Sequence, residues 1–235
     1  MSETFPRALT LDLDDTLWPV APVIERAEQR LHEWMLSNAP ETARRFPIEA
    51  MRRWRAEVGR LEPSLAHDLT ALRRLTIERA LTQCGEDPAL ADAAFELFIA
   101  QRHEVELYED VLPALERLAR RFPLLALSNG NADIGRIAGL GSLFVGRIGA
   151  REAGFGKPDA RIFQAACSAL QLAADEVLHI GDDWLLDVCG ARDAGLHSAW
   201  VHRGMARPPG AAAAPASGLH LEVHDLTALA DALGA

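Results

Sequence analysis

The feature that most constrains the fold is a regular alternation of short apolar runs and helical segments in the second half of the chain. Apolar runs at 124–127, 177–180 and 198–202 stand between stretches in which apolar residues recur at helical spacing. Short apolar runs bounded by helices are typical of strands that are buried on both faces of a sheet. The alternation therefore predicts a parallel sheet with helices packed on both of its faces.

A further apolar run, Ala8–Leu13, lies far ahead of this region and predicts the first strand of the same sheet. Between the two, residues 20–104 carry apolar residues at helical spacing in four blocks, separated by breakers that contain proline. The expected fold class is α/β: a Rossmann-like core of residues 1–19 and 105–235, interrupted by an all-α domain of about four helices at 20–104.

The composition is that of an acidic globular protein, with 25% charged residues, 49% hydrophobic residues and a formal net charge of −10. Nucleic acids and anionic membranes attract basic surfaces, so neither is an expected partner. No apolar stretch approaches the ~20 residues of a membrane helix, and no signal-peptide pattern opens the chain. Cys84, Cys167 and Cys189 have neither zinc-ligand spacing nor the even number of a disulfide framework. We expect a cytoplasmic monomer or homodimer.

Acidic residues follow the first predicted strand, in the sequence Asp12-Leu13-Asp14-Asp15-Thr16. Residues two apart on an extended segment point the same way, so Asp12 and Asp14 can approach one centre. Two adjacent carboxylates repel unless a cation or a shared proton relieves them, and Mg²⁺ prefers oxygen ligands. The alternative is that both residues only cap a helix or form an Asx turn.

A second acidic group follows the predicted strand at 177–180 and consists of Asp182, Asp183 and Asp187. Each of these could simply cap or flank the next helix. However, the carboxyl ends of parallel strands meet at one edge of the sheet, where open α/β sheets bind ligands. Two acidic groups at such ends therefore favour a shared metal site over two unrelated caps.

Two more segments suggest a site for an anion. Ser128 and Asn129 follow the strand predicted at 124–127, where a hydroxyl and backbone N–H groups can hold phosphate oxygens, although most such sequences are plain turns. Lys157 is the only lysine in the chain and precedes Pro158, which is expected to open a helix. Because an ammonium and a guanidinium are not interchangeable in a tight anionic site, a single lysine in an arginine-rich chain is a candidate phosphate ligand.

These four segments, in this order, resemble the four motifs of the haloacid dehalogenase-like (HAD) superfamily, and the resemblance covers the whole chain. The helical insert after the first motif is similar to the α-helical cap of that family. The residues that match the motifs are, in order, Asp12, Asp14 and Thr16, then Ser128, then Lys157, then Asp182 and Asp183 with Asp187.

The resemblance implies a phosphomonoester hydrolase that acts on a small phosphorylated metabolite. In the family's scheme Asp12 attacks phosphorus to form an aspartyl phosphate, and Asp14 protonates the leaving group and then activates water. Ser128 and Lys157 hold the phosphoryl oxygens, together with backbone N–H groups near Asp14 and Asn129.

The same resemblance implies Mg²⁺ as the cofactor. Its expected ligands are the carboxylates of Asp12 and Asp182 and the backbone carbonyl of Asp14. Either Asp183 or Asp187 would support this set, and the sequence does not decide between them.

The candidates for substrate specificity are Trp18, which could stack on a ring, and His67, Asp68 and Arg73 of the helical segment. His67 and Asp68 could instead only cap a helix. The chain is most similar to a bacterial subgroup that dephosphorylates flavin mononucleotide and a phosphorylated ribitylaminouracil precursor of riboflavin, while other small phosphates stay open.

Three other functions are compatible with parts of this pattern. A haloacid dehalogenase of this family resembles Asp-x-Tyr-Gly-Thr at the first motif and lacks the second acid, whereas position 14 here is Asp. A phosphomutase uses similar residues but needs a cap that reorients a sugar phosphate. A catalytically inactive binding module has no physical need for Asp12, Asp14, Lys157 and Asp182 together.

Overall fold

The computed structural model describes residues 6–210 and 218–235. These residues form two compact units. One unit spans Val20–Val105, and the other combines the segment that ends at Pro19 with the segment that starts at Glu106. We call them the helical unit and the core unit. No helix in the described ranges is long and apolar enough to cross a membrane.

The helical unit consists of helices packed around an apolar interior. Its helices are α1 (Val20–Asn38), α2 (Pro40–Arg45), α3 (Ile48–Leu61), α4 (Leu69–Gln83) and α5 (Leu90–Arg102). Four of them correspond to the predicted blocks. The short α2 begins at one of the proline-containing segments that predict a break between helices. Pro40 occupies its first helical position, where the missing N–H costs nothing. Leu31, Met35, Ile77, Leu81 and Phe98 lie at the centre of the packing.

The core unit is built on a parallel sheet. Its strands are β1 (Ala8–Leu11), β2 (Leu124–Ser128), β3 (Gly146–Gly149), β4 (Val177–Gly181), β5 (His197–Val201) and β6 (His220–Val223). Their spatial order is β3-β2-β1-β4-β5-β6, and every neighbouring pair is parallel. The predicted α/β class is therefore confirmed. The segment 206–218 is rich in alanine and proline, which predicts a surface loop, and it lies largely outside the described residues.

The helices of the core unit lie on both faces of this sheet. They are α6 (Val111–Ala119), α7 (Ala150–Ala153), α8 (Ala160–Leu170), α9 (Gly190–Asp193) and α10 (Leu226–Ala232). Right-handed crossovers place the helix before β2 on one face and the helices before β4 and β5 on the other, because the strand order reverses at β1. Accordingly, α8 and α9 pack together on Leu125 and Leu127 of β2, and α6 packs on α10.

Three predicted elements have different bounds in the structure. Strand β1 ends at Leu11 rather than Leu13, which leaves the acidic sequence in a loop. The sequence also predicts a short helix at Ile134–Ala138, and the structure has only a single 3₁₀ turn there, Ile134–Arg136. The apolar spacing over Trp184–Ala194 predicts a helix there as well, and in the structure this segment begins as a wider π-helical turn, Trp184–Cys189, before it continues as α9. Such π turns are frequent at functional sites.

Candidate active site

The carboxyl ends of β1 and β4 bring the two acidic groups together. Leu11 pairs with Ile180, and the Asp12 N–H donates to the Ile180 carbonyl at 2.9 Å, so the chain enters the acidic loop beside β4. The Thr16 hydroxyl spans the gap: its Oγ1 lies 2.9 Å from Asp182 Oδ1 and 3.4 Å from Asp12 Oδ2. This point lies between β1 and β4, where the strand order switches from one side of β1 to the other, which is the expected ligand crevice of an open parallel sheet.

Lys157 is buried between two carboxylates. Its Nζ lies 2.6 Å from Asp12 Oδ1 and 2.6 Å from Asp187 Oδ1, and its side chain is only 2% exposed. An ammonium has three donors, so two are used in these charge-assisted bonds. The lysine that the sequence singled out therefore lies at the acidic centre rather than on the surface.

The backbone of Lys157 is held by Asn129 from the loop after β2. Asn129 Oδ1 accepts from the Lys157 N–H at 2.7 Å, and Asn129 Nδ2 donates to the Lys157 carbonyl at 2.8 Å. This reciprocal pair fixes both the position and the direction of the lysine. The expected phosphate-loop residue Asn129 thus positions Lys157 through its side chain.

Asp187 is fixed by several donors at once. Besides Lys157, His179 Nε2 lies 3.0 Å from its Oδ1, and the Asp183 N–H donates to its Oδ2 at 3.0 Å. Because a carboxylate only accepts, His179 Nε2 carries a proton, and His179 Nδ1 accepts from the Thr10 hydroxyl at 2.8 Å. A chain of hydrogen bonds therefore runs from the middle of β1 to Asp187.

The charges of the site shift its pKa values in opposite directions. Burial raises the pKa of Asp12, and Asp187 adds to that rise while Lys157 opposes it. Burial alone would lower the pKa of Lys157, but Asp12 and Asp187 outweigh it and raise that pKa. Burial would raise the pKa of Asp187, but Lys157 and His179 lower it. Asp187 therefore keeps its negative charge and Lys157 keeps its positive charge in the site.

The acids of the site fit a hard divalent cation. Carboxylate oxygens of Asp12, Asp182 and Asp187 all lie within 4.8 Å of one another. Burial, followed by the charge of Asp187, raises the pKa of Asp182 to about 7, which shows how costly a further negative charge is here. A cation with oxygen ligands removes that cost. The sequence left Asp183 and Asp187 as alternatives, and the structure brings Asp187 into this group.

Asp183 has a different place. Its Oδ1 accepts from the backbone N–H groups of Leu185 and Leu186, both at 2.8 Å, and so caps the π-helical turn. This is the capping role that the sequence leaves open for the second acidic group. Through its own N–H, Asp183 also holds Asp187.

Asp14 is oriented by Trp18. Trp18 Nε1 donates to Asp14 Oδ1 at 3.0 Å, and the Asp15 N–H donates to the Trp18 carbonyl at 2.7 Å. Trp18 is fully buried, so neither ring face can stack on a ligand. The expectation that Trp18 contacts substrate therefore gives way to a role in positioning the second acid.

Ser128 ends β2 beside β1. Because Leu11 pairs with Ala126, Ser128 lies two residues further along, level with the acidic loop. It is 5% exposed, and its Oγ accepts from the Gly130 N–H at 3.0 Å. The structure thus brings Ser128 to the same end of the sheet as Asp12 and Lys157.

The three specificity candidates of the helical unit differ in accessibility. Asp68 caps α4 by accepting from the Ala71 N–H at 2.9 Å, as the capping alternative expected. His67 is half-buried. Arg73 is 8% exposed and lies 3.4 Å from Glu28 and 3.7 Å above the Phe98 ring. Arg73 is thus an interior ion-pair residue, because its guanidinium is already used within the helical unit.

Sequence reasoning missed several residues that organise the site. Thr10 on β1 and His179 on β4 are paired in the sheet register. Polar residues inside two apolar strands must be hydrogen-bonded, so their presence in the sequence could have indicated a buried polar contact. Arg203, after β5, gave no such signal. It donates to the Thr16 carbonyl at 2.6 Å and pairs with Asp110 at 2.6 Å, so it ties the acidic loop to the start of α6.

Gly181 gives the first testable prediction. A Cβ built at this residue would overlap the carboxyl group of Asp187. We expect Gly181→Ala to lower the free energy of unfolding by about 1–3 kcal/mol through overpacking. Displacement of Asp187 should also lower kcat/KM about 100-fold. Urea unfolding and steady-state kinetics measure the two effects.

The matched control is Gly59→Ala, in α3. A Cβ there meets only Leu72 at 3.6 Å, an ordinary contact. This variant should gain about 0.5–1 kcal/mol from helix propensity and keep its activity. Equal effects of the two substitutions would show that the Gly181 site tolerates a side chain.

Comparisons with known proteins indicate the same family as the four motifs. The model of the haloacid dehalogenase-like hydrolase family matches residues 6–195. The chain is 35% identical over 198 residues to the 5-amino-6-(5-phospho-D-ribitylamino)uracil phosphatase YigB of Escherichia coli (strain K12), with 83% of this chain and 82% of the relative covered. It is 33% identical over 236 residues to the phosphoserine phosphatase of Thermus thermophilus, with 89% and 93% covered.

A solved structure is similar over nearly the whole chain. The crystal structure described as a 2-haloacid dehalogenase from Pseudomonas syringae pv. Tomato DC3000 shares 35% identity and a TM-score of 0.87, with 97% of this chain and 98% of that chain covered. The resemblance predicted from the four motifs is confirmed by these matches.

Proposed function

The chain belongs to the haloacid dehalogenase-like hydrolase family, and from this premise we propose that it is a Mg²⁺-dependent phosphomonoesterase that acts through an aspartyl phosphate. The observation that carries the proposal is the buried Asp12, which has Lys157 at 2.6 Å on one of its oxygens and lies among the carboxylates of Asp182 and Asp187. Phosphoryl transfer needs mainly positioning and charge neutralisation, and this cluster supplies both.

Asp12 is the proposed nucleophile. Its backbone is fixed by β4 and one oxygen by Lys157, which leaves the carboxylate pre-oriented rather than mobile. One Asp12 oxygen forms a bond to phosphorus while the bond from phosphorus to the leaving oxygen breaks. Lys157 would then hold a phosphoryl oxygen, with Ser128 on the neighbouring strand end.

Asp14 is the proposed acid and base. It gives a proton to the leaving oxygen in the first step. In the second step it takes a proton from water while the water oxygen bonds to phosphorus and the Asp12–phosphorus bond breaks. Trp18 fixes one of its oxygens at 3.0 Å, so the carboxyl group cannot rotate away between the two steps.

Asp12, Asp182 and Asp187 would hold Mg²⁺ together with the backbone carbonyl of Asp14. When bound, the cation neutralises charge on the phosphoryl group and on the three acids. The residues of the chain keep the roles given above. Asp187 remains the anchor of Lys157, and Asp183 remains the cap of the π-helical turn.

The substrate proposed is a small phosphorylated metabolite. One relative is named for a ribitylaminouracil phosphate and another for phosphoserine, so the leaving group is the part of the substrate that varies most among these relatives. Flavin mononucleotide and phosphorylated riboflavin precursors are the first substrates to test. We also propose a cytoplasmic setting, which Cys84, Cys167 and Cys189 support as free thiols.

Dehalogenation is the second candidate, because a chain described as a 2-haloacid dehalogenase is 35% identical. That reaction also needs a carboxylate nucleophile. It has no use for a second acid that protonates an alcohol or for a group of three carboxylates that fits a cation. Asp14 and the cluster of Asp12, Asp182 and Asp187 therefore favour the phosphatase.

The test measures phosphate release and halide release side by side. We expect phosphate release from 4-methylumbelliferyl phosphate and flavin mononucleotide with added Mg²⁺, and no halide release from 2-chloropropionate. Removal of the cation by a chelator should lower phosphate release at least about 100-fold, because charge neutralisation is lost. Halide release without phosphate release would reverse the proposal.

A control separates cation binding from catalysis. Mg²⁺ should raise the Tm of the wild-type protein, since it binds the folded acids and not the unfolded chain. The same addition should leave the Tm of Asp182→Asn unchanged. A Tm that responds equally in both proteins would place the cation elsewhere.

A further inference from the structure

We propose that His179 is a positioning residue of the cation site, which holds the Asp187 carboxylate in place while Lys157 engages the phosphoryl group. This inference rests on the proposed function, because it concerns residues that would hold Mg²⁺ there. It deepens that function by giving a role to a buried histidine that takes no part in the proposed steps.

The Asp187 carboxylate is held on both of its oxygens. Lys157 Nζ at 2.6 Å and His179 Nε2 at 3.0 Å share Oδ1, and the Asp183 N–H donates to Oδ2 at 3.0 Å. In the proposed reaction Lys157 also holds a phosphoryl oxygen, so it has to divide its donors between Asp187 and the substrate. His179 supplies a side-chain donor to the same oxygen that is independent of the substrate.

His179 is itself fixed within the sheet. Its side chain is fully buried, and its Nδ1 accepts from the Thr10 hydroxyl at 2.8 Å. The Phe163 ring stands edge-on to the imidazole, with centroids 5.1 Å apart and an interplanar angle of 80°. Because Nδ1 accepts, the ring proton is on Nε2, where it faces Asp187. The imidazole therefore offers one N–H in one fixed direction.

The strand beside His179 leaves room for Asp187. Gly181 is two residues further along β4, so it belongs to the same face of the strand as His179. A Cβ at Gly181 would overlap the Asp187 carboxyl group, which therefore lies directly over the strand. The Asp187 side chain is only 2% exposed, so its direction is set by these neighbours and not by solvent.

The chain from Thr10 through His179 to Asp187 has the form of an outer shell around a metal site. It ends on one of three acids whose carboxylate oxygens lie within 4.8 Å of one another. Groups that hydrogen-bond a metal-binding side chain fix its direction, and their loss typically weakens metal binding about 10–100-fold. We therefore expect His179 to set the affinity for Mg²⁺, whereas a purely structural polar pair would affect stability alone.

The test compares two amides at position 179. His179→Gln places an amide N–H about as far from the backbone as the imidazole Nε2, whereas the shorter His179→Asn reaches only about as far as Nδ1. Both variants bury a polar amide at the same place. The dissociation constant for Mg²⁺ alone, measured by isothermal titration calorimetry without substrate, should rise about 10–100-fold in His179→Asn and stay within about threefold of wild type in His179→Gln.

Two further variants support this comparison. Thr10→Val keeps the shape of the side chain and removes the hydroxyl that fixes the ring, so it should raise the same dissociation constant about threefold, even if His179→Asn does not fold. His197→Asn is the matched control. His197 is also a buried strand histidine, but it lies at the amino end of β5, where its Nδ1 accepts from the Leu219 N–H at 3.0 Å. This control should leave the affinity for Mg²⁺ unchanged.

The outcomes separate this inference from the proposed function. Equal affinity for Mg²⁺ in wild type, His179→Asn and Thr10→Val would overturn the positioning role while phosphate release stands. Equal losses of affinity in His179→Asn and His179→Gln would overturn it as well, because the reach of the N–H would then not matter. Weaker binding in His179→Asn that His179→Gln restores, in a protein without phosphatase activity, would support the positioning role and overturn the phosphatase. A wild-type protein that binds no Mg²⁺ would overturn both.

Discussion

Asp12→Asn is expected to lower the rate of phosphate release at least about 10⁴-fold, because loss of a covalent nucleophile typically lowers kcat by that much or more. Asn matches Asp in shape but is a poor nucleophile. It also loses the charge that Lys157 pairs with at 2.6 Å and one of the three carboxylates that fit the cation. The measurement is phosphate release from 4-methylumbelliferyl phosphate with saturating Mg²⁺, with circular dichroism to show that the fold is kept.

Asp14→Asn is the matched control, because it removes the same charge two residues away without removing the nucleophile. Its phosphate release should fall by about 10²–10⁴-fold, the usual contribution of general acid–base catalysis. A phosphorylated protein should then accumulate and be detected by mass spectrometry of acid-quenched samples, when the leaving group departs without help. Phosphorylated Asp12→Asn protein would refute Asp12 as the nucleophile.

Lys157→Met is expected to lower both activity and stability. Loss of the ammonium leaves Asp12 and Asp187 buried together without their shared counter-charge, and breaking a buried ion pair from one side typically costs about 3–5 kcal/mol. Activity should fall about 10³-fold, since a phosphoryl ligand is lost as well. Chemical denaturation and kinetics at saturating Mg²⁺ measure the two losses.

Lys157→Arg separates charge from shape. It keeps a positive charge, so it should recover part of the lost stability. It should not recover activity, because a planar guanidinium does not fit between two oxygens that are each 2.6 Å from one nitrogen. Arg161→Met breaks the exposed ion pair with Asp159 and should cost no more than about 1 kcal/mol. Full activity in Lys157→Arg would remove the lysine from the mechanism.

The site residues that could be predicted are those that a short sequence pattern marks. Asp12, Ser128 and Asp182 each follow an apolar run, and strands of a parallel sheet end at one side. That rule was enough to bring residues more than 100 positions apart to one place without any knowledge of their contacts. Lys157 was found because it is chemically unique in the chain.

The parts that sequence reasoning missed depend on side-chain direction. Trp18 looks like a ligand-stacking residue when it is judged by type and position alone. Only the bend of the loop after β1 decides that its ring turns inward and its N–H meets Asp14. Arg203 reaches the Thr16 carbonyl from a loop almost 190 residues later, and no local pattern encodes such a contact. The choice between Asp183 and Asp187 depended likewise on the π-helical turn.

The reciprocal clamp of Asn129 on the Lys157 backbone has a consequence for cooperativity. Lys157 touches β1 through Asp12, the end of β2 through Asn129 and the π-helical turn after β4 through Asp187. Three neighbouring strands must therefore be paired before the ammonium reaches its place, so a partly folded sheet has no competent site. Catalytic activity should consequently disappear in the same transition as the central strands, which makes turnover a direct reporter of the integrity of the sheet.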